Sequence, residues 1–280
     1  MKTSSRLFFA IVAVFLTSCA PTTFYQVYKA APFEKLSTNE NFMVYENENC
    51  KVYYNLWEEG GNIGFRFYNK TEDNIYLYME ESFFILNGMS FNYYKSRVYT
   101  NSTSSGVSSS RSATTAKAVT GINYWDLLQT NKIQATSSIG FSTSAGYSIS
   151  YFEEKIICIP SRTYKIISEY NINESPFRDC DLFKFPTIKQ INSKSFTKSE
   201  SPLVFSNRIA YKVGQSENLI KFENEFYVTE IANYPESEIL ESKYDEFCGE
   251  RSETIIEYFL NVSPEKFYIK YNRWQSSWKK

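Results

Sequence analysis

The side chains from which catalysis is usually built are reduced here to carboxylates, because the chain of 280 residues contains no histidine. That absence removes the commonest general base and metal ligand, and with it the Ser-His-Asp, Cys-His and zinc-hydrolase arrangements. No glycine-rich phosphate loop, Gly-x-Ser-x-Gly elbow or Cys-x-x-Cys pair occurs, so nucleotide, esterase and thioredoxin-like chemistry has no residues to use. A carboxylate pair could still hydrolyse a glycosidic bond if its two acids stood roughly 5 to 9.5 Å apart across it. The candidates are Glu80-Glu81, Glu153-Glu154 and the acids beside Cys248. Neighbouring residues of a strand point to opposite faces, so neither Glu-Glu pair can supply both members of a dyad. Asp179, Asp181, Asp245 and Glu246 could gather around calcium if their loops were joined, but their spacing is not that of a dedicated calcium loop. No catalytic residue, metal or cofactor is expected, and a carboxylate-dependent enzyme acting on glycans stands as the alternative.

Cysteine supplies a different chemistry. Lys2 and Arg6 precede the apolar run Leu7 to Leu16, which is followed by the small residues Thr17 and Ser18, the three-part build of a secretory signal over residues 1–18. Leu16-Thr17-Ser18-Cys19 resembles the bacterial lipobox. The resemblance implies cleavage before Cys19, a diacylglycerol on its thiol and a third acyl chain on its amine, which together would hold the protein on a membrane. The ten apolar residues are too few to span a bilayer, and no later run is long enough. Ala20-Pro21-Thr22-Thr23 lacks the aspartate that resembles an inner-membrane retention signal, so the outer membrane is expected. The first acid, Glu34, comes late for a surface-export cluster, which favours the periplasm-facing leaflet over the cell surface. The other cysteines, Cys50, Cys158, Cys180 and Cys248, permit three pairings in an oxidising compartment. The polar, loop-like settings of Cys180 and Cys248 favour joining those two.

Aromatic residues could recognise a ligand. The chain has 23 Tyr and 23 Phe, and Trp57, Tyr76, Tyr78 and Trp125 are the candidate binding aromatics, available to dock a protein or stack on sugar rings. Most of the remainder fall in alternating runs and are expected to form the apolar face of a sheet. Without residues 1–18 the chain keeps 28 basic residues against 31 acidic ones, which gives nucleic acid no basic excess to bind.

The elements that must position these residues are strands. Residues 19–41 mix Pro21, Pro32, Ser37, Thr38 and Asn39 without sustained periodicity and read as a lipidated tether. Val52, Tyr54 and Leu56 share one face, Ile63, Phe65 and Phe67 another, and Gly60-Gly61 between them predicts a hairpin. Phe83 to Leu86 meets Phe91 to Tyr94 across Asn87-Gly88, the strongest short hairpin signal, because both central positions of a type I′ turn need positive φ. Twelve of the 21 residues from Thr100 to Thr120 are Ser or Thr, which marks an insertion over 100–138. Residues 121–132 and 236–247 have short helical spacing. Ile139 to Tyr151 alternates apolar residues with Ser and Gly, and further strands are expected over Lys155–Pro160, Thr163–Tyr170, Leu203–Val213 and Leu219–Val228. The pattern predicts a mainly β protein: an antiparallel, immunoglobulin-like β-sandwich over 42–228, with a C-terminal extension, 229–280, packed on it.

Tyr54-Asn55-Leu56-Trp57, Gly60 to Phe65, Glu81 to Gly88 and Glu225-Phe226-Tyr227-Val228 resemble a set of uncharacterised lipoproteins from gut Bacteroidota. The resemblance implies lineage and compartment and supplies no catalytic residue. The expected function is a membrane-anchored binding or structural module, whose partners are membrane lipid through Cys19 and an envelope protein or glycan. A further alternative gives 139–151 and 100–112 the two arms of a hairpin able to enter a bilayer, although Arg111 interrupts the second.

Overall fold

A computed structural model describes residues 22–105 and 145–274. Its first six strands are β1 (Thr23–Pro32), β2 (Ser37–Thr38), β3 (Met43–Glu46), β4 (Cys50–Tyr54), β5 (Phe65–Asn69) and β6 (Ile75–Tyr78). Next come β7 (Phe83–Leu86), β8 (Met89–Asn92), β9 (Val98–Ser105), β10 (Ala145–Phe152), β11 (Ile156–Ile159) and β12 (Tyr164–Ile167). The last six are β13 (Ser193–Ser195), β14 (Val204–Val213), β15 (Ile220–Pro235), β16 (Leu240–Phe247), β17 (Glu250–Phe259) and β18 (Lys266–Asn272). Among the described residues the only helical pieces are three 3₁₀ turns, at Met79–Glu81, Ile188–Gln190 and Glu236–Glu238. The expected mainly β, antiparallel body is present.

One sheet has the order β11-β6-β14-β15-β1-β18, with the β7–β8 hairpin attached to β14 and β13 to β15. A second has the order β12-β5-β4-β3-β2. Both contribute to one core. Tyr28, Leu77, Phe84, Phe205, Phe226 and Phe267 come from the first sheet, and Met43, Val52, Tyr54, Phe65 and Phe67 from the second. Ring pairs join the two: Tyr54 with Phe226 at 5.3 Å, Phe67 with Tyr211 at 5.6 Å and Tyr45 stacked on Phe222 at 4.6 Å. Each buried Phe or Tyr adds roughly 1.5–3 kcal/mol of transfer free energy, which is why the period-2 alternation of β4, β5 and β6 is obeyed so closely. The Asn87-Gly88 turn also forms as read, with φ of 48° and 82° between the paired Leu86 and Met89. Gly61 is needed for a different reason. A Cβ there would lie 2.7 Å from the ring of Phe267.

Several expectations are corrected. Residues 23–32 are no tether: β1 lies between β15 and β18, with Phe24, Tyr25, Gln26, Tyr28 and Ala30 buried. Pro32 ends this strand and does not interrupt it, so the two prolines misled the reading of the aromatic residues between them. Nor is 229–280 an added extension. β15 runs unbroken through position 228 to Pro235, and β18 completes the sheet beside β1 in a register from Thr23↔Asn272 to Lys29↔Lys266. Residues 236–247 are not a helix but one 3₁₀ turn followed by β16, which pairs with β17 across Cys248-Gly249, both at positive φ. The first residues of the expected insertion, Thr100 to Ser105, belong to β9. The predicted helix at 121–132, the signal segment and most of the insertion lie outside the described residues.

Candidate functional site

Two strand pairs form separate two-stranded sheets, and each has a built root. β9 pairs with β10 from Val98↔Phe152 to Ser105↔Ala145. Neither strand contains a charged residue, and the charges collect just outside them. The Arg97 guanidinium donates through Nε (3.0 Å) and Nη2 to Glu153 Oε1, and through Nη1 to Glu169 Oε1 at 2.7 Å. Glu153 Oε2 accepts the backbone N–H groups of Lys95 (2.8 Å) and Arg97 (3.0 Å). Lys95 Nζ donates to Glu169 at 2.8 Å and lies 4.4 Å from the Tyr170 ring centroid. The side chains of Glu153 and Glu169 are only 10% and 13% exposed. Burial works against ionisation of Glu153, but Arg97 and the two backbone N–H groups more than offset it and hold its carboxyl below the usual glutamate value.

That geometry assigns Glu153 to holding a strand end. Two of the other carboxylates proposed for chemistry are also occupied: Glu80 by Lys155 at 2.6 Å, and Glu81 by Lys221 at 2.8 Å. Lys194 holds Asp179 at 2.5 Å and Asp181 at 3.1 Å, and keeps the Asp179 carboxyl below its ordinary value. Asp245 and Glu246 lie on β16, so the four acids do not form the calcium cluster considered above. Among the described residues no group of three or more acids or cysteines could hold a metal ion.

The second hairpin, β16–β17, is rooted on rings. Phe259 meets Trp57 edge-on at 5.4 Å and Tyr268 at 4.7 Å, and Tyr25 approaches it at 5.9 Å. Burial, followed by the charge of Glu59, pushes the Tyr268 hydroxyl up to about 12. Beyond this root Tyr244, Phe247, Ile255 and Tyr258 are exposed, Phe247 to 81%. The Arg251 guanidinium lies 3.5 Å from the Tyr244 centroid. Six acids, Glu241, Asp245, Glu246, Glu250, Glu253 and Glu257, face only Lys243 and Arg251 in charge balance. Among the described residues each strand pairs with the other alone, so both outer edges present unpaired N–H and C=O groups.

Among the described residues, Trp57 is not brought to Tyr76 and Tyr78. Trp57 is half-buried in the ring root, whereas Tyr76 and Tyr78 lie on β6, separated from β18 by β14, β15 and β1 in the strand order. Lys212 covers Tyr78 at 5.3 Å. Trp125 and Cys19 lie outside the described residues. Cys180 and Cys248 do not form the expected disulfide; both are free and exposed, Cys248 at the hairpin tip, while Cys50 is buried and Cys158 exposed. Burial pushes the Cys50 thiol up to about 12, which suits a core residue and no nucleophile.

Two features escaped the sequence reading. Arg66 lies among the rings of Tyr53 (4.4 Å), Phe42 (4.7 Å) and Tyr164 (5.3 Å) on the outer face of the smaller sheet. Its alternation with Phe65 and Phe67 placed it outside, but its neighbours depend on the register Tyr53↔Arg66. Gln26 and Tyr28 form the other feature. Gln26 Nε2 donates to Phe177 O (2.9 Å) and Asn233 Oδ1 (2.8 Å), and Phe177 N donates to Tyr28 Oη (2.9 Å), which fastens an irregular segment over β1.

Compared with protein-family models, characterised proteins and solved structures, the chain matches none.

Proposed function

We propose that this chain is an envelope lipoprotein, anchored through Cys19 to the periplasm-facing leaflet of the outer membrane, which works by binding another envelope protein through the β16–β17 hairpin. The observation that carries this reading is the hairpin itself. A lone two-stranded hairpin is marginal in water, yet this one extends ten residues along β17 with exposed aromatics and two open edges. Strand addition by a partner would satisfy those edges, and the exposed rings would set its register. Sugar stacking on Trp57 is less well supported, because it needs an exposed ring face and Trp57 packs against Phe259 and Tyr268. The immunoglobulin-like sandwich is part of the same reading, supported by two antiparallel sheets that share a core.

A photo-crosslinking residue in place of Phe247, introduced in cells, tests the site. A recurrent protein adduct that is lost when Tyr258→Glu is added is expected, and adducts to lipid alone would overturn it. Labelled fatty acid should enter the parent and not C19A, and protease shaving should leave the protein intact until the outer membrane is opened.

A second reading has its own support. β9 and β10 pair with each other without a charge on either strand, as a bilayer-entering hairpin would require. Eight residues per arm at about 3.3 Å each reach roughly 26 Å, just short of a hydrocarbon core of about 30 Å. Dye release from vesicles on adding the protein would support insertion, and retention of the dye would end it.

A further inference from the structure

β1 and β18 are adjacent and antiparallel, so the chain enters and leaves this sheet at one corner. Thr23 opposes Asn272, and the Arg273 N–H donates to Thr22 O at 2.9 Å. That corner has a distinctive surface on the Phe24 side of β1. The Phe24 ring meets Phe185 at 5.2 Å and stacks with Tyr271 at 5.7 Å. The Arg273 guanidinium lies 5.6 Å from the Phe24 centroid and 5.3 Å from that of Phe185, and Lys184 Nζ lies 5.0 Å from Phe185. Arg178 is close enough for its charge to act on Lys184. Arg273 Nε is buried without a hydrogen-bond partner. Trp274 is 80% exposed and Phe183 52%. The surface is also held firmly, since Asn233 Nδ2 donates to Phe183 O at 2.9 Å and Tyr271 Oη to Lys184 O at 2.6 Å. Glu236 and Lys270 act on Tyr25, which points to the opposite face of β1.

Cations interleaved with exposed tryptophan and phenylalanine are what a protein presents to lipid headgroups. Chain length brings lipid to this corner. Cys19 lies three residues before Thr22, and three residues reach about 10 Å when fully extended. Downstream, residues 275–280 read Gln-Ser-Ser-Trp-Lys-Lys and add one more aromatic and two more cations to the chain that leaves here. We propose that Arg178, Phe183, Lys184, Arg273 and Trp274 form a second membrane contact, which seats the body on anionic headgroups with this corner toward the bilayer. It rests on the acylation proposed above for proximity, while its own chemistry is independent of the acyl chains.

The test uses the full chain, purified from membranes with its acyl groups and reconstituted in vesicles of phosphatidylglycerol and phosphatidylcholine whose acyl chains are brominated. Comparison of the parent with W274F should show that most quenchable emission belongs to Trp274, and W57F should leave the quenching unchanged. In phosphatidylcholine alone the quenching should fall. K184Q and R273Q should each weaken it in the anionic vesicles about fivefold, near the effect of one cation at a charged surface. Unquenched Trp274 in protein that floats with the vesicles would overturn the contact and leave the anchor standing. Protein without fatty acid would overturn the anchor instead. The unacylated chain would then decide the contact in sedimentation with phosphatidylglycerol vesicles: binding weakened by K184Q and R273Q upholds it, and binding indifferent to both overturns it.

Discussion

The two separate two-stranded sheets differ in what holds them. β9–β10 is uncharged along both strands and is fastened by ions, with Arg97 bridging Glu153 and Glu169. β16–β17 carries six acids and is fastened by rings, with Phe259 packed among Trp57, Tyr25 and Tyr268. The lesson is that a hairpin's root answers to different variables from its arms. Salt and acid act on a carboxylate clamp, whereas an aromatic root responds to ring volume and to ionisation of its phenols.

The sharpest way to break the comparison is Phe259→Ala. Removing a partly buried ring should cost about 2–3 kcal/mol at the root, below the usual range for a buried Phe→Ala because Phe259 is not fully enclosed. Amide exchange in β16–β17 should quicken while β9–β10 keeps its protection, and Trp57 emission should move to the red. Arg97→Ala is the reciprocal change: it leaves the nearly covered Glu153 without its cation, and Glu169 with Lys95 alone. A cost of about 2 kcal/mol is expected, below the full value for a buried pair because Arg97 is partly in solvent. Here β9–β10 should lose protection and β16–β17 should not.

Titration separates the roots without mutation. Glu153 has a depressed carboxyl pKa, so its contribution is present above the ordinary glutamate value and is lost as pH falls through the lower folded value. Tyr268 has a raised hydroxyl pKa, so its contribution is present below about pH 10 and is lost as pH rises toward about 12. Acid should loosen β9–β10 first and alkali β16–β17 first, read by amide exchange at the two extremes. A smaller effect is expected from Gly249→Ala. Gly249 has φ of 82° with open space around it, so alanine adds only the left-handed backbone cost of about 1 kcal/mol, confined to the hairpin tip. Smallest of all, moderate salt should weaken the Arg97 clamp by a few tenths of a kcal/mol and leave the ring root unchanged.

Much of the body was legible from alternation. Val52 and Tyr54, Phe65 and Phe67, and Ile75 and Leu77 are all buried on the faces their spacing assigned. Asn87-Gly88 announced its turn because few residues accept positive φ. β1 was hidden by the prolines at its ends, although Phe24, Tyr25 and Tyr28 between them needed cover in any folded arrangement. The ion clamp was out of reach for another reason. Glu153 lies 56 residues beyond Arg97, with the Ser/Thr-rich stretch between them, and nothing near either residue names the other. The free Cys180 and Cys248 carry the same message, since similar polar surroundings are no measure of distance.

Local order in this chain therefore belongs to its amino-acid pattern: a strand's two faces follow from a period of two, a tight turn from the residues that tolerate it, and an expected acylation from four residues at 16–19. Partnership belongs to the fold. Which strand lies beside β1, which carboxylates face Arg97 and which rings surround Phe259 depend on how two sheets divide the apolar surface of the whole chain between them, a choice made by the summed burial of residues far apart in sequence and by none of them locally.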